Sequence, residues 1–120
     1  MDSLLKARKI VELADLKKAH DIELIKIGDV SSITDYFVIC SGNSELQVKA
    51  IADEIEYKMK LENEISPVHI EGYNTAGWIL IDYSDVIVHV FDKESRGYYS
   101  LERLWKDAVR EDISDIIKEN

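Results

Sequence analysis

Asp82 and Asp85, separated by Tyr83-Ser84, are the closest the sequence comes to a paired-carboxylate site. Enzymes that transfer nucleotides commonly hold magnesium with two carboxylates on alternate strand positions and hold phosphates with basic side chains. Here the pair brackets a turn, where aspartate is favoured for bonding turn amides, and no basic phosphate clamp surrounds it. A nucleotide-dependent transferase using Asp82 and Asp85 is the alternative reading, and turn chemistry is the simpler one. Ser41-Gly42-Asn43-Ser44 precedes an amphipathic run, as an anion-binding loop at a helix start would. It is short and lacks the lysine of a P-loop, and a capped strand-to-helix turn explains it fully.

His20, His69 and His89 fall on a helix end and on two separate strands, and their spacing matches no metal-binding pair on one element. No metal and no cofactor is expected. Cys40, the only cysteine, sits in an apolar run and reads as a small buried hydrophobe, because a reactive thiol needs an electropositive, partly exposed setting. It excludes an internal disulfide and a cysteine pair for zinc. Trp78 has two readings. Large aromatics are usually core, but this one begins a strand beside a polar loop, a placement that also suits an interface anchor.

The chain that must position these residues has 120 residues and a net charge of −9. Residues 1–20 carry five bases against three acids, 21–91 four against thirteen, 92–107 four against four, and 108–120 two against four. The acidic middle argues against direct nucleic-acid binding, which relies on basic stripes to neutralise phosphate. Such a surface attracts basic partners, many of which are proteins that sit on nucleic acid, or it serves solubility alone. With 46% apolar and 32% charged residues and a single proline, the chain reads as one folded domain. No apolar run approaches the ~20 residues of a membrane span and no secretory signal is evident, so a cytoplasmic protein without membrane contact is expected.

The periodicity predicts a single-domain α/β fold, a mixed β-sheet of about five strands flanked by helices. Leu4, Ala7, Ile10, Val11 and Ala14 predict a helix over 3–19 with Lys17 and Lys18 at its negative end. Ile22 to Ile27 alternates as a strand, and Tyr36-Phe37-Val38-Ile39-Cys40 reads as a strand buried on both faces. Ser44 and Gln47 form a capping box for a helix ending near Asn63, with Val48, Ile51, Ala52, Ile55 and Met59 as its apolar stripe. Val68 to Ile70 is a short strand. Trp78 to Asp82 and Asp85 to Phe91 form a hairpin around a Tyr83-Ser84 turn, with Asp82 opposite Asp85 and Trp78 opposite His89. In that register Ile79, Ile81, Val86, Val88 and Val90 make an aliphatic core face. Trp78, Leu80, Asp82, Asp85, Ile87, His89 and Phe91 make the other, which is covered by a helix or held for a partner. Asp92 to Tyr99 reads as a connection, followed by a helix from about Ser100, and the tail keeps helical spacing through Ile113, Ile116 and Ile117.

Several blocks in order carry a resemblance: Ile33-Thr34-Asp35-Tyr36-Phe37-Val38-Ile39-Cys40-Ser41-Gly42-Asn43-Ser44, Ala50-Ile51-Ala52-Asp53, Glu71-Gly72, the run from Trp78 to Phe91, Arg96 with Tyr98-Tyr99, and Leu101-Glu102-Arg103-Leu104-Trp105. Over about residues 21–108 the chain resembles the ribosomal silencing factor family, RsfS, also called Iojap. The resemblance implies a nucleotidyltransferase-like fold without enzymatic activity. It also implies a translational repressor that binds the large ribosomal subunit through protein uL-fourteen and blocks joining of the small subunit when nutrients are short, and it suggests a homodimer. Carried over by motif, the interface residues are Glu71, Trp78, Asp82, Tyr83 and His89. Ser84 departs from the glycine common at the hairpin turn, and residues 109–120 form a variable tail.

Overall fold

The computed structural model describes residues 1–118. Helix α1 (Ser3–Leu16) starts where the Asp2 carboxylate accepts the Leu5 amide at 2.8 Å. It stops short of residue 19 because Lys18 turns left-handed (φ 59°), so that Lys18 and Ala19 donate back to the carbonyls of Asp15 and Ala14. Strand β1 (His20–Lys26) follows at once and is irregular between His20 and Glu23, where Asp21 also has a positive φ. Strand β2 (Tyr36–Gly42) is buried along its whole length, as its continuous apolar run requires. Helix α2 (Glu45–Asn63) begins at the Ser44 cap, whose hydroxyl accepts the Gln47 amide at 3.1 Å. The Gln47 side chain reaches one residue further than a capping box expects and accepts the Asn43 amide at 2.6 Å.

Strands β3 (His69–Glu71), β4 (Trp78–Asp82) and β5 (Val86–Asp92) complete the main sheet, and a two-residue β6 (Val109–Arg110) pairs with the outer edge of β1. The order is β3-β4-β5-β2-β1-β6, with β2 and β5 parallel and every other pair antiparallel. The sheet thus has six strands rather than five, because the start of the tail returns as an edge strand. Beyond it, Ile113, Ile116 and Ile117 do not extend a helix but pack against the core. Arg8 holds that segment through the Asp112 carbonyl (3.2 Å) and the Asp115 carboxylate, and the Lys118 amide donates to Asp15 at 2.9 Å. The apolar spacing there belongs to a docked irregular segment.

One sheet face is sealed by α1 and α2, whose Ile10, Val11, Ile51, Ile55 and Met59 meet Val38, Cys40, Ile79, Ile81, Val88 and Val90. Each such fully buried aliphatic side chain contributes ~1.5–3 kcal/mol. The other face receives the segment from Lys93 to Ala108. Helix α3 (Lys93–Tyr99) occupies most of the stretch expected to be a connection, and Ser100, with φ 47°, separates it from the short α4 (Leu101–Leu104). Asp92 caps α3 by accepting the Ser95 amide at 2.7 Å, and neither helix has a buried residue. Without an apolar stripe, α3 leaves no helical period to read. Among the described residues no helix is long and apolar enough to cross a membrane.

The hairpin register differs from the expected one by two residues. Asp82 faces Ile87, Leu80 faces His89 and Trp78 faces Phe91, while Tyr83 donates its amide to the Val86 carbonyl at 2.9 Å, so the turn is Ser84-Asp85. Setting Asp82 directly against Asp85 would oppose like charges, which is destabilising. The observed turn instead has the Asp82 carboxylate accepting the Ser84 amide (2.7 Å) and the Ser84 carbonyl accepting the Thr34 hydroxyl (2.9 Å). Ser84 carries a φ of 75°, a conformation glycine adopts without strain. Its side chain makes none of these bonds. Ser84→Gly is therefore expected to raise stability by about 0.5–1 kcal/mol, read as a higher urea midpoint at unchanged slope. A lower midpoint would contradict this turn geometry.

Candidate functional site

Cross-strand partners point to the same side of a sheet, so the register assigns the face opposite α1 and α2 residue by residue. It carries His69 and Glu71 from β3, Trp78, Leu80 and Asp82 from β4, and Ile87, His89 and Phe91 from β5. Phe37 and Ile39 from β2 and Ile25 from β1 continue it. The C-terminal segment covers only the second half. Trp105 meets Phe37 edge-on at 5.8 Å, Leu101 packs on the same cluster, and Tyr99 reaches Trp78 at 4.5 Å. Toward β3 the face is open. Leu80 and Trp78 are half-buried there, with the Glu71 side chain 67% exposed and the His69 side chain 47% exposed.

Arg96 holds the cover in place. Its side chain is only 10% exposed, and it donates to Glu102 on α4 (2.9 Å), to Glu23 on β1 (3.3 Å) and to the Ser41 hydroxyl on β2 (2.9 Å). The other Glu23 oxygen accepts from Arg110 at 3.3 Å, and Arg110 also donates to the carbonyls of Glu102, Trp105 and Ala108. Sequence reasoning on residue chemistry misses this network, because nothing in the spacing of Glu23, Arg96, Glu102 and Arg110 announces that the fold brings them together.

Of the residues expected to form a site, Glu71, Trp78, Asp82 and His89 share this face. The Trp78 indole N–H donates to Nδ1 of His89 at 3.0 Å, a diagonal contact across the hairpin rather than the directly opposed pair expected. Glu71 and Asp82 flank His69, at 3.9 and 3.7 Å from its two ring nitrogens. Gly72 makes the close approach of β3 to β4 possible: its φ is 81°, and a Cβ there would stand 2.1 Å from the Trp78 carbonyl oxygen. Tyr83 is not brought to this surface. It faces the helix side, 4% exposed, and burial pushes its phenol above its ordinary range.

Asp82 and Asp85 are engaged by different groups. Asp85 is ion-paired with Lys6 of α1 at 2.7 Å, while Asp82 bonds the turn amide. The loop before α2 likewise has its groups satisfied internally, with the Gln47 side-chain Nε2 donating to the carbonyls of Lys17 and Lys18. Cys40 is fully buried, and that burial pushes its thiol up to about 12, far from nucleophilic. Among the described residues no group of three or more His, Cys, Asp or Glu is placed to hold a metal ion. What the open half of the face offers is apolar area with a tryptophan at its margin and carboxylates beside it, a chemistry of binding to a partner that is apolar and basic.

Residues 1–120 match the family described as Ribosomal silencing factor during starvation. The chain is 46% identical over 107 residues to Ribosomal silencing factor RsfS of Halalkalibacterium halodurans, covering 89% of this chain and 91% of that one. It is 48% identical over 99 residues to the protein of that name from Bacillus subtilis, covering 82% and 83%. It is also similar to the crystal structure of a Chromobacterium violaceum protein, with a TM-score of 0.85, 31% identity and 88% of each chain covered.

His89 makes this face pH-sensitive in a measurable way. It is 4% exposed, and burial lowers its pKa to about 4. A lowered folded-state pKa means that stability is fully present above the ordinary imidazole value of ~6.5 and is lost as pH falls toward the folded value. Between those limits the native chain is expected to lose ~3 kcal/mol relative to a His89→Phe variant, which has no proton to take up. Urea unfolding of both proteins from pH 7 to 4 reads this difference, and a constant gap across the range would contradict the buried neutral imidazole.

Proposed function

The chain belongs to the ribosomal silencing factor family, and from that premise we propose that it is a translational repressor that binds the large ribosomal subunit through protein uL-fourteen and blocks joining of the small subunit when nutrients are short. The observation that carries the reading is the half-covered sheet face. Its open half joins Trp78 and Leu80 to the carboxylates of Glu71 and Asp82. An aromatic anchor on an apolar patch, rimmed by acids, is the complement of a basic ribosomal protein. The net charge of −9 favours the encounter.

Blocking needs no chemistry. A body 34 × 33 × 30 Å seated where two subunits meet excludes contact by volume. The transferase alternative requires Asp82 and Asp85 to work together, and the Lys6–Asp85 ion pair speaks instead for a structural use of the turn carboxylates. On this reading the protein acts in the cytoplasm.

Trp78→Ala is expected to weaken binding to purified large subunits by about thirtyfold or more, a loss of ~2 kcal/mol, while the chain still unfolds cooperatively. Co-sedimentation and thermal unfolding of the same variant decide between an anchor and a core residue. A core tryptophan would cost ~3–5 kcal/mol of stability and leave the folded fraction binding normally. Added salt is expected to slow association more than it speeds dissociation, because screening acts over ~8 Å at physiological ionic strength. Association kinetics indifferent to salt would show that the acidic surface serves solubility alone.

A further inference from the structure

We infer that His89 is a positioning residue of the ribosomal contact, acting through Trp78, whose indole N–H it holds so that the partner meets the ring as an apolar surface. The inference rests on the reading of this face as that contact. With 4% exposure, His89 is too deep to offer more than a trace of surface to a partner. Its ring is fixed from several sides: Phe37 meets it edge-on at 4.6 Å, and Phe91 stacks at 6.2 Å with an interplanar angle of 11°. Trp78 lies between this ring and Tyr99, at 5.8 Å from the one and 4.5 Å from the other, and donates its N–H inward at 3.0 Å.

The hydrogen bond dictates the tautomer. To accept at Nδ1, a neutral imidazole must carry its proton on Nε2, and that nitrogen is buried without a hydrogen-bond partner among the described residues. A buried N–H left unpaired is costly, and the aromatic packing around the ring holds it in place despite that cost. Its consequence for recognition is specific. The indole of a tryptophan anchor normally needs an acceptor wherever it is buried. Here that acceptor is supplied within the chain before any partner arrives. The partner's pocket for Trp78 is therefore apolar and owes the ring no hydrogen bond, and holding the ring beforehand removes the ordering cost of association.

The test is a double-mutant cycle on binding to purified large ribosomal subunits, using His89→Phe, Trp78→Phe and the two together, with the Trp78 indole N–H resonance followed by NMR. His89→Phe keeps a ring of similar size and removes the acceptor. It is expected to shift the indole resonance and to weaken binding about tenfold, mainly through faster dissociation. In the Trp78→Phe background the same change is expected to have no further effect, since no N–H remains to be held. His89→Asn, which returns an oxygen acceptor near the Nδ1 position, is expected to recover part of the affinity. His89→Leu runs the same cycle should His89→Phe unfold. Equal losses in both backgrounds, or unchanged affinity with a shifted indole resonance, would overturn the inference while leaving the contact itself in place. Normal binding by Trp78→Ala would instead remove the contact on which it rests.

Discussion

The arrangement of this domain depends on one guanidinium. Helices α3 and α4 bury no residue completely, and their apolar contacts with the sheet are the partial ones of Tyr99 and Leu101. Arg96 fixes them, by meeting Glu102 within the segment and Glu23 and Ser41 on the sheet, while Arg110 closes the ring from β6 to the second oxygen of Glu23. These ion pairs, with Glu23 33% and Glu102 28% exposed, add little net stability. Such a network specifies a position more than it adds stability. Here the position is a cover that spans β1, β2 and β5 and ends at Trp78.

From that limit the site follows. The helix side of the sheet is sealed, and the other side is sealed only as far as Tyr99 and Trp105 extend. What remains open toward β3 is a half-buried apolar strip with Trp78 at its inner margin and Glu71, His69 and Asp82 along its outer one. The strip is built on strands, with β4 held between β3 and β5, so its side chains are placed more rigidly than loop residues would be. A rigid, acidic, partly apolar face suits the proposed mode of action, which is to occupy a surface.

Much of this is legible in the residues. Tyr36-Phe37-Val38-Ile39-Cys40 has no polar alternation, and β2 is buried on both sides. The division of the hairpin into an aliphatic face and a mixed one is also legible, although the register is displaced by two, because a displacement by an even number preserves which side each residue faces. Asp82, Leu80, His89 and Trp78 therefore share the expected face, while Tyr83, one position beyond Asp82, turns to the other. The turn itself depends on a long-range bond from Thr34 to Ser84, which no local pattern displays. Nor does the sequence mark α3, whose cap is visible in Asp92 and Ser95 but whose helix lacks an apolar period. Ile113, Ile116 and Ile117 mislead for the opposite reason: helical spacing arises there in a segment that packs against the core without forming a helix. The Arg96 network is illegible because it joins residues 23, 41, 96, 102 and 110, a grouping that exists only once the sheet order is known.

The most direct measurement is subunit joining itself, followed by light scattering with purified large and small ribosomal subunits. Large subunits first saturated with this protein are expected not to join, while small subunits treated in the same way and then freed of unbound protein join normally. Joining at an unchanged rate, with the protein bound to the large subunit throughout, would contradict a repressor that acts by occupying the joining surface.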